Sequence, residues 1–197
     1  MPPKTALLVI DMQEHFRPMT TTALPNILKL CQYFSQTLSE PVIFTQHGHS
    51  NAELTTVPSP SMLVRKWGPE GSIATGSPAW RLMDELAPYL PKLNSPPETA
   101  EFPQLVAKNT YDAFVNTDLA TLLESARVER VIVCGVMTDC CCDTTARSAF
   151  NRGYETWLVS DACGSANERQ HKAGLNAFGY AFGDVLTTSD VIRRLNV

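Results

Sequence analysis

What this chain lacks narrows its function before any motif is considered. It has no basic tract and a formal net charge of −4, so neither nucleic acid nor an anionic membrane surface is an expected partner. It has no apolar run long enough to span a bilayer. The opening Met1–Pro2–Pro3–Lys4 leads into a strand-like run that Asp11 soon interrupts, too brief for a signal peptide. The cytoplasm is therefore the default location, with leaderless export left open. A disulfide framework is also missing. Six cysteines, three of them adjacent at Cys140, Cys141 and Cys142, fit free thiols in a reducing compartment better. Charged residues are only 18% against 44% hydrophobic, an ordinary globular balance that argues against disorder. No repeat, low-complexity segment or domain boundary is visible. Residues 1–197 read as one domain with a full core.

What is present is an alternation of apolar β-type runs and helical patterns, which predicts an α/β fold with a parallel sheet. Strands are predicted over 6–10, 41–45, 104–107, 131–136, 156–159 and 185–188. Helices are predicted over 24–38, 78–86 (capped by Ser77), 117–126 (capped by Thr117), 139–150 and 167–178. The stretch 48–77 has no clean period and reads as a long functional loop, and 88–97 reads as a proline-rich connector.

In open α/β sheets, ligands bind beyond the carboxyl ends of the strands. Three chemically useful residues fall there. Asp11 follows the first strand, Lys108 follows the strand 104–107, and the cysteine cluster follows 131–136 after a short turn. A thiol in the first turn of a helix sits near the positive end of the helix dipole, which favours thiolate. Sulfur, carboxylate and ammonium together make a workable hydrolytic set: nucleophile, proton carrier and charge stabiliser. Each also has an ordinary use, as a turn residue, a surface charge or a small buried apolar group. A thiol redox-sensing or binding module is the non-enzymatic alternative.

Three stretches carry a resemblance: Leu7–Leu8–Val9–Ile10–Asp11–Met12–Gln13, Lys108–Asn109–Thr110–Tyr111–Asp112–Ala113–Phe114, and Gly135–Val136–Met137–Thr138–Asp139–Cys140–Cys141. Together they resemble the isochorismatase-like cysteine hydrolases, and the likeness extends through Ser160–Asp161–Ala162. The resemblance implies a three-layer α/β/α sandwich around a mostly parallel, Rossmann-like sheet. It implies a catalytic triad of Asp11, Lys108 and Cys141. It also implies a cis peptide at Val136–Met137, with the N–H groups of Met137 and Cys141 serving an oxyanion hole. Cys140 falls to the rim and Cys142 to the interior, because successive helical side chains diverge by about 100°.

Two substrate classes follow from the resemblance. One is a small cyclic carboxylate, above all isochorismate, whose vinyl ether is hydrolysed to release pyruvate with Asp11 as acid. The other is an amide or carbamoyl amide, hydrolysed through a thioester on Cys141. The nicotinamidase branch resembles a metal site with an Asp-x-His pair and a further His. Here the place reads Thr45–Gln46–His47–Gly48–His49 with no aspartate, which counts against nicotinamidase among the amide hydrolases, so no metal or other cofactor is expected and the histidines read as pocket wall. Gln13, Phe16, Arg17, His47, Trp67 and Tyr111 are the pocket candidates. Their aromatic and cationic character points to isochorismate. The implied partners are a small-molecule substrate and, by analogy with relatives, a second copy of the chain.

Overall fold

The computed structural model describes residues 2–91 and 101–196. Six strands form one sheet: β1 (Thr5–Ile10), β2 (Val42–His47), β3 (Gln104–Lys108), β4 (Arg130–Val136), β5 (Glu155–Gly164) and β6 (Asp184–Leu186). Their order is β3-β2-β1-β4-β5-β6, and every neighbouring pair is parallel. The α-helices among the described residues are α1 (Leu24–Gln32), α2 (Asn51–Thr55), α3 (Met62–Trp67), α4 (Leu119–Ser125), α5 (Asp143–Asn151), α6 (Glu168–Ala181) and α7 (Thr188–Leu195). None of the described helices is long and apolar enough to cross a membrane.

The two-residue period of β1 separates two cores. Leu7 and Val9 pack against Ile27, Leu30 and Phe34 of the α1 side, together with Val191 of α7. Ala6, Leu8 and Ile10 pack against Leu119, Leu123, Ala146, Ala149 and Phe178, from α4, α5 and α6. Every residue of β1 is buried, which is why the run carries no polar alternation. The result is the three-layer α/β/α sandwich, its sheet wholly parallel.

Several segments depart from the sequence pattern for local reasons. The predicted helix 24–38 ends as α1, and the chain continues in a π-turn over Tyr33–Leu38. The loop 48–77 holds two short helices. Ser50 and Glu53 close a capping box on α2, and Ser61 caps α3. The predicted helix 78–86 is instead two 3₁₀ turns, Pro78–Trp80 and Asp84–Tyr89, the first capped by Ser77. The predicted cap Thr117 lies one residue before the cap position of α4, which is Asp118. β5 runs past 159 to Gly164. Residues 187–188 do not extend β6: Thr187 caps α7, accepting from the Asp190 N–H at 3.2 Å, and Thr188 is its first residue. Of the predicted connector 88–97, the part from residue 92 onward lies outside the described residues.

Candidate active site

The site starts from a close approach of two strands. Gly135 of β4 pairs with Ile10 of β1, and a Cβ on it would lie 2.1 Å from the Ile10 carbonyl oxygen. With that clearance, β1 ends on Asp11 at a φ of +49°, a left-handed conformation that Asp adopts more readily than most residues. Thr45 of β2 then fixes the carboxylate. Its hydroxyl donates to Asp11 Oδ1 at 2.6 Å and accepts from the Asp11 N–H at 3.0 Å.

Lys108 is the last residue of β3, and its ammonium reaches across the end of β2. Nζ lies 2.6 Å from Asp11 Oδ2, with both side chains fully buried. It also donates to the Thr110 carbonyl at 2.9 Å. Burial works against its charge, but Asp11 and Cys141 hold its pKa above the ordinary lysine value.

Cys141 sits in a π-turn, Thr138–Cys142, that joins β4 to α5. Its thiol lies within electrostatic reach of both Asp11 and Lys108. The turn is gripped from behind by α6 and the end of β5. Gln170 and Ser165 donate to the Asp139 carboxylate, and the Thr138 hydroxyl donates to the Gly164 carbonyl at 2.9 Å. Gly174 makes room, since a Cβ there would meet Asp139 Cα at 2.9 Å. Burial opposes the helix-dipole pull toward thiolate at this sulfur. Burial, with Asp11 beside it, pushes the Cys141 thiol pKa well up, against the pull of Lys108. Burial thus favours the protonated thiol, next to a carboxylate that can take its proton.

Cys141 lines a cavity of about 220 Å³, with the Asp11–Lys108 pair buried behind it. Two larger depressions of about 540 Å³ lie elsewhere and touch none of the three. Phe16, His47, Trp67, Tyr111 and Met137 line the cavity with Cys141, and Trp67 Nε1 donates to the Tyr111 hydroxyl at 2.8 Å, tying the 48–77 segment over the site. The Val136–Met137 peptide is cis.

Two pocket candidates belong elsewhere. Gln13 is fully buried, and its amide is spent on backbone: Nε2 donates to the His47 and Trp80 carbonyls at 2.9 and 2.7 Å, while Oε1 accepts from the His47 N–H. It braces the wall from behind. Arg17 is turned to the surface, where its guanidinium pairs with Glu14 at 2.7 Å and Glu85 at 2.8 Å. No arginine or lysine lines the cavity. The cationic group expected for a carboxylate is thus absent from the described wall.

Sequence reasoning missed Thr45 as the carboxylate's holder, whereas His49, read as pocket wall, and Cys140, read at the rim, both line the cavity. The period-two rule places His49 on the same face as His47. Cys142 is fully buried, and Cys140 is kept protonated by burial and by Asp139 and Asp143, with a pKa pushed up to about 11. Among the described residues no three His, Cys, Asp or Glu side chains converge as a metal would require. The donor set at His47 and His49 therefore falls short of the nicotinamidase-type metal site.

A buried acid, ammonium and thiol at the carboxyl edge of a parallel sheet define a hydrolase. Comparison with known proteins gives the family: residues 5–190 match the isochorismatase domain, and the chain belongs to the isochorismatase family. It is 37% identical over 191 residues to Nicotinamidase 3 of Arabidopsis thaliana, covering 96% of this chain and 87% of that one. It is 26% identical to Enterobactin synthase component B of Escherichia coli K12, covering 97% of this chain and 63% of that one. A cysteine hydrolase structure from Pseudomonas syringae pv. phaseolicola superposes with a TM-score of 0.79 at 29% identity, covering 98% of this chain and 92% of that one.

Proposed function

We propose that this isochorismatase-family hydrolase is a thiol amidohydrolase acting on small amides. The observation that carries the reading is the fully buried Asp11–Lys108 pair, 2.6 Å apart, beside Cys141, the one thiol of the three that feels both partners and also lines the cavity. Attack by Cys141 sulfur on the amide carbonyl forms the S–C bond as the thiol proton passes to the Asp11 carboxylate. Lys108 balances the charge that shifts between them. We assign the N–H groups of Met137 and Cys141 to the developing oxyanion. Collapse breaks the C–N bond, with Asp11 returning its proton to the leaving amine. Water then attacks the thioester, giving its proton to Asp11, and the carboxylic acid leaves as the thiol is restored.

The isochorismate expectation rested on a cationic pocket. Arg17 is committed to Glu14 and Glu85, Arg65 donates to the Ser59 carbonyl, and Lys108 is paired with Asp11. What remains is a small, largely apolar cavity, which suits an uncharged amide better than a molecule bearing carboxylates. The likeness to a protein named nicotinamidase supports the same choice.

The test is a substrate panel, with ammonia release from nicotinamide and small aliphatic amides set against pyruvate release from isochorismate. Amide turnover is expected, with Cys141→Ala, Asp11→Ala and Lys108→Ala each lowering kcat by at least roughly a thousandfold. Pyruvate release that survives Cys141→Ala but not Asp11→Ala would overturn the covalent route in favour of acid-catalysed vinyl-ether hydrolysis.

A further inference from the structure

The wall facing the nucleophile carries two histidines that the mechanism above leaves unused. β2 and β4 flank β1. The end of β2 therefore lies two strand spacings, roughly 10 Å, from the end of β4. A molecule whose carbonyl meets Cys141 presents its far edge to the β2 side, where His47 and His49 line the cavity. Both are buried, at 8% and 1% exposure, and their rings meet edge to face with centroids 4.9 Å apart. Nδ1 of His47 is buried without a hydrogen-bond partner. Glu53 Oε1 stands 3.5 Å from His49 Nδ1 and is itself held by the Asn109 amide at 2.8 Å. Burial, helped by nearby Lys108, keeps His47 neutral, its pKa lowered to about 4. A third metal ligand is missing among the described residues, and the lining has no cation for a carboxylate.

We propose that His47 and His49 bind the substrate directly, without a metal between them, and so select an uncharged planar amide with a hydrogen-bonding atom on the edge remote from its carbonyl. This rests on the amidohydrolase reading. A cavity of about 220 Å³ lies below the roughly 300–1,000 Å³ of pockets for drug-sized ligands, which limits the substrate to about one ring. A neutral imidazole carries one donor and one acceptor nitrogen, so the pair can complement a ring nitrogen, a hydroxyl or a carbonyl, while an unsubstituted apolar ring would leave it unpaired.

Three probes on the full chain test this: nicotinamide, benzamide (the same shape without the ring nitrogen) and the anionic amide succinamate. The expected order in kcat/KM is nicotinamide over benzamide by roughly tenfold to a hundredfold, with succinamate lower still. His49→Phe and His47→Phe should reduce the nicotinamide preference to within about threefold, and the milder His49→Gln should restore part of it. Binding of nicotinamide to Cys141→Ala, followed by calorimetry, should weaken by the same factor when either histidine is replaced, with thermal melts confirming that each variant is folded. Turnover should be unchanged by exhaustive EDTA treatment. Equal turnover of nicotinamide and benzamide, insensitivity of the preference to both histidines, or EDTA inactivation reversed by a divalent metal would each overturn the inference while leaving the amidohydrolase reading intact. Failure to hydrolyse any amide would instead sink the reading on which it rests.

Discussion

The floor and the roof of the cavity are built by different rules. The floor is made of strand ends. Asp11, Lys108 and Cys141 are buried, and the carboxylate is held by both Thr45 and Lys108. The roof is made of two short helices from one irregular segment. Its chief aromatic, Trp67, is 54% exposed and is tied down by a hydrogen bond to Tyr111. Asp11 and Lys108 stand at strand ends that cannot shift without unpairing the sheet, and Cys141 sits in a turn braced by α6 and the end of β5. The roof rests on side-chain contacts of modest strength. Reaction type therefore belongs to the floor and choice of substrate to the roof and walls.

The sharpest break in that contrast is Lys108→Met. It leaves the Asp11 carboxylate buried without a counter-charge, and breaking such a pair typically costs about 3–5 kcal/mol. Urea unfolding should show that loss alongside abolished turnover. A loss below about 1 kcal/mol would show the floor to be as soft as the roof.

Acid should act next most strongly, through His47. Its folded pKa of about 4 lies below the unfolded value of about 6.5. The unfolded chain therefore binds the proton first, and stability falls as pH drops from 6.5 to 4, by up to roughly 3 kcal/mol from this group. Above pH 6.5 its contribution is flat. Subtracting the pH–stability curve of His47→Phe from that of the native chain isolates the effect, and identical slopes would refute it.

Thr45→Val keeps the shape but removes the hydroxyl that holds Asp11. About 1–3 kcal/mol should be lost, read as a roughly tenfold drop in kcat with KM little changed. Trp67→Phe should do least, cutting only a partly exposed hydrogen bond. Stability should fall by no more than about 1 kcal/mol, with KM rising a few-fold and kcat holding. A kcat loss equal to that of Thr45→Val would erase the distinction between floor and roof.

The floor was legible in the sequence for the same reason that it is rigid. Runs such as Leu7–Ile10 and Val131–Val136 are apolar throughout because both faces are covered, and a polar residue at the end of such a run can only sit at the sheet's edge. Partners that arrive from far along the chain were not legible. Nothing near Arg17 announces Glu85, 68 residues away, so a surface guanidinium passed for a pocket cation. Gln13 likewise shows nothing of the His47 and Trp80 backbone it bridges. The helices of the roof left a fainter trace. Ser50 and Glu53 spell a capping box, but five residues are too few for a periodic pattern. The π-turn at Thr138–Cys142 has no signature of its own, and it widens the start of a helix that otherwise begins where the pattern places it.

The pinch at Ile10 and Gly135 has a wider consequence. Asp11 follows directly on the pinch, while the turn carrying Cys141 begins three residues beyond it, so the chain segments that bear acid and sulfur leave adjoining strands from one pinned point, and nothing in residues 48–77 sets that spacing. Residues 48–77 could accordingly be exchanged wholesale for a segment of different shape, and the incoming substrate would find the bond-breaking apparatus already spaced.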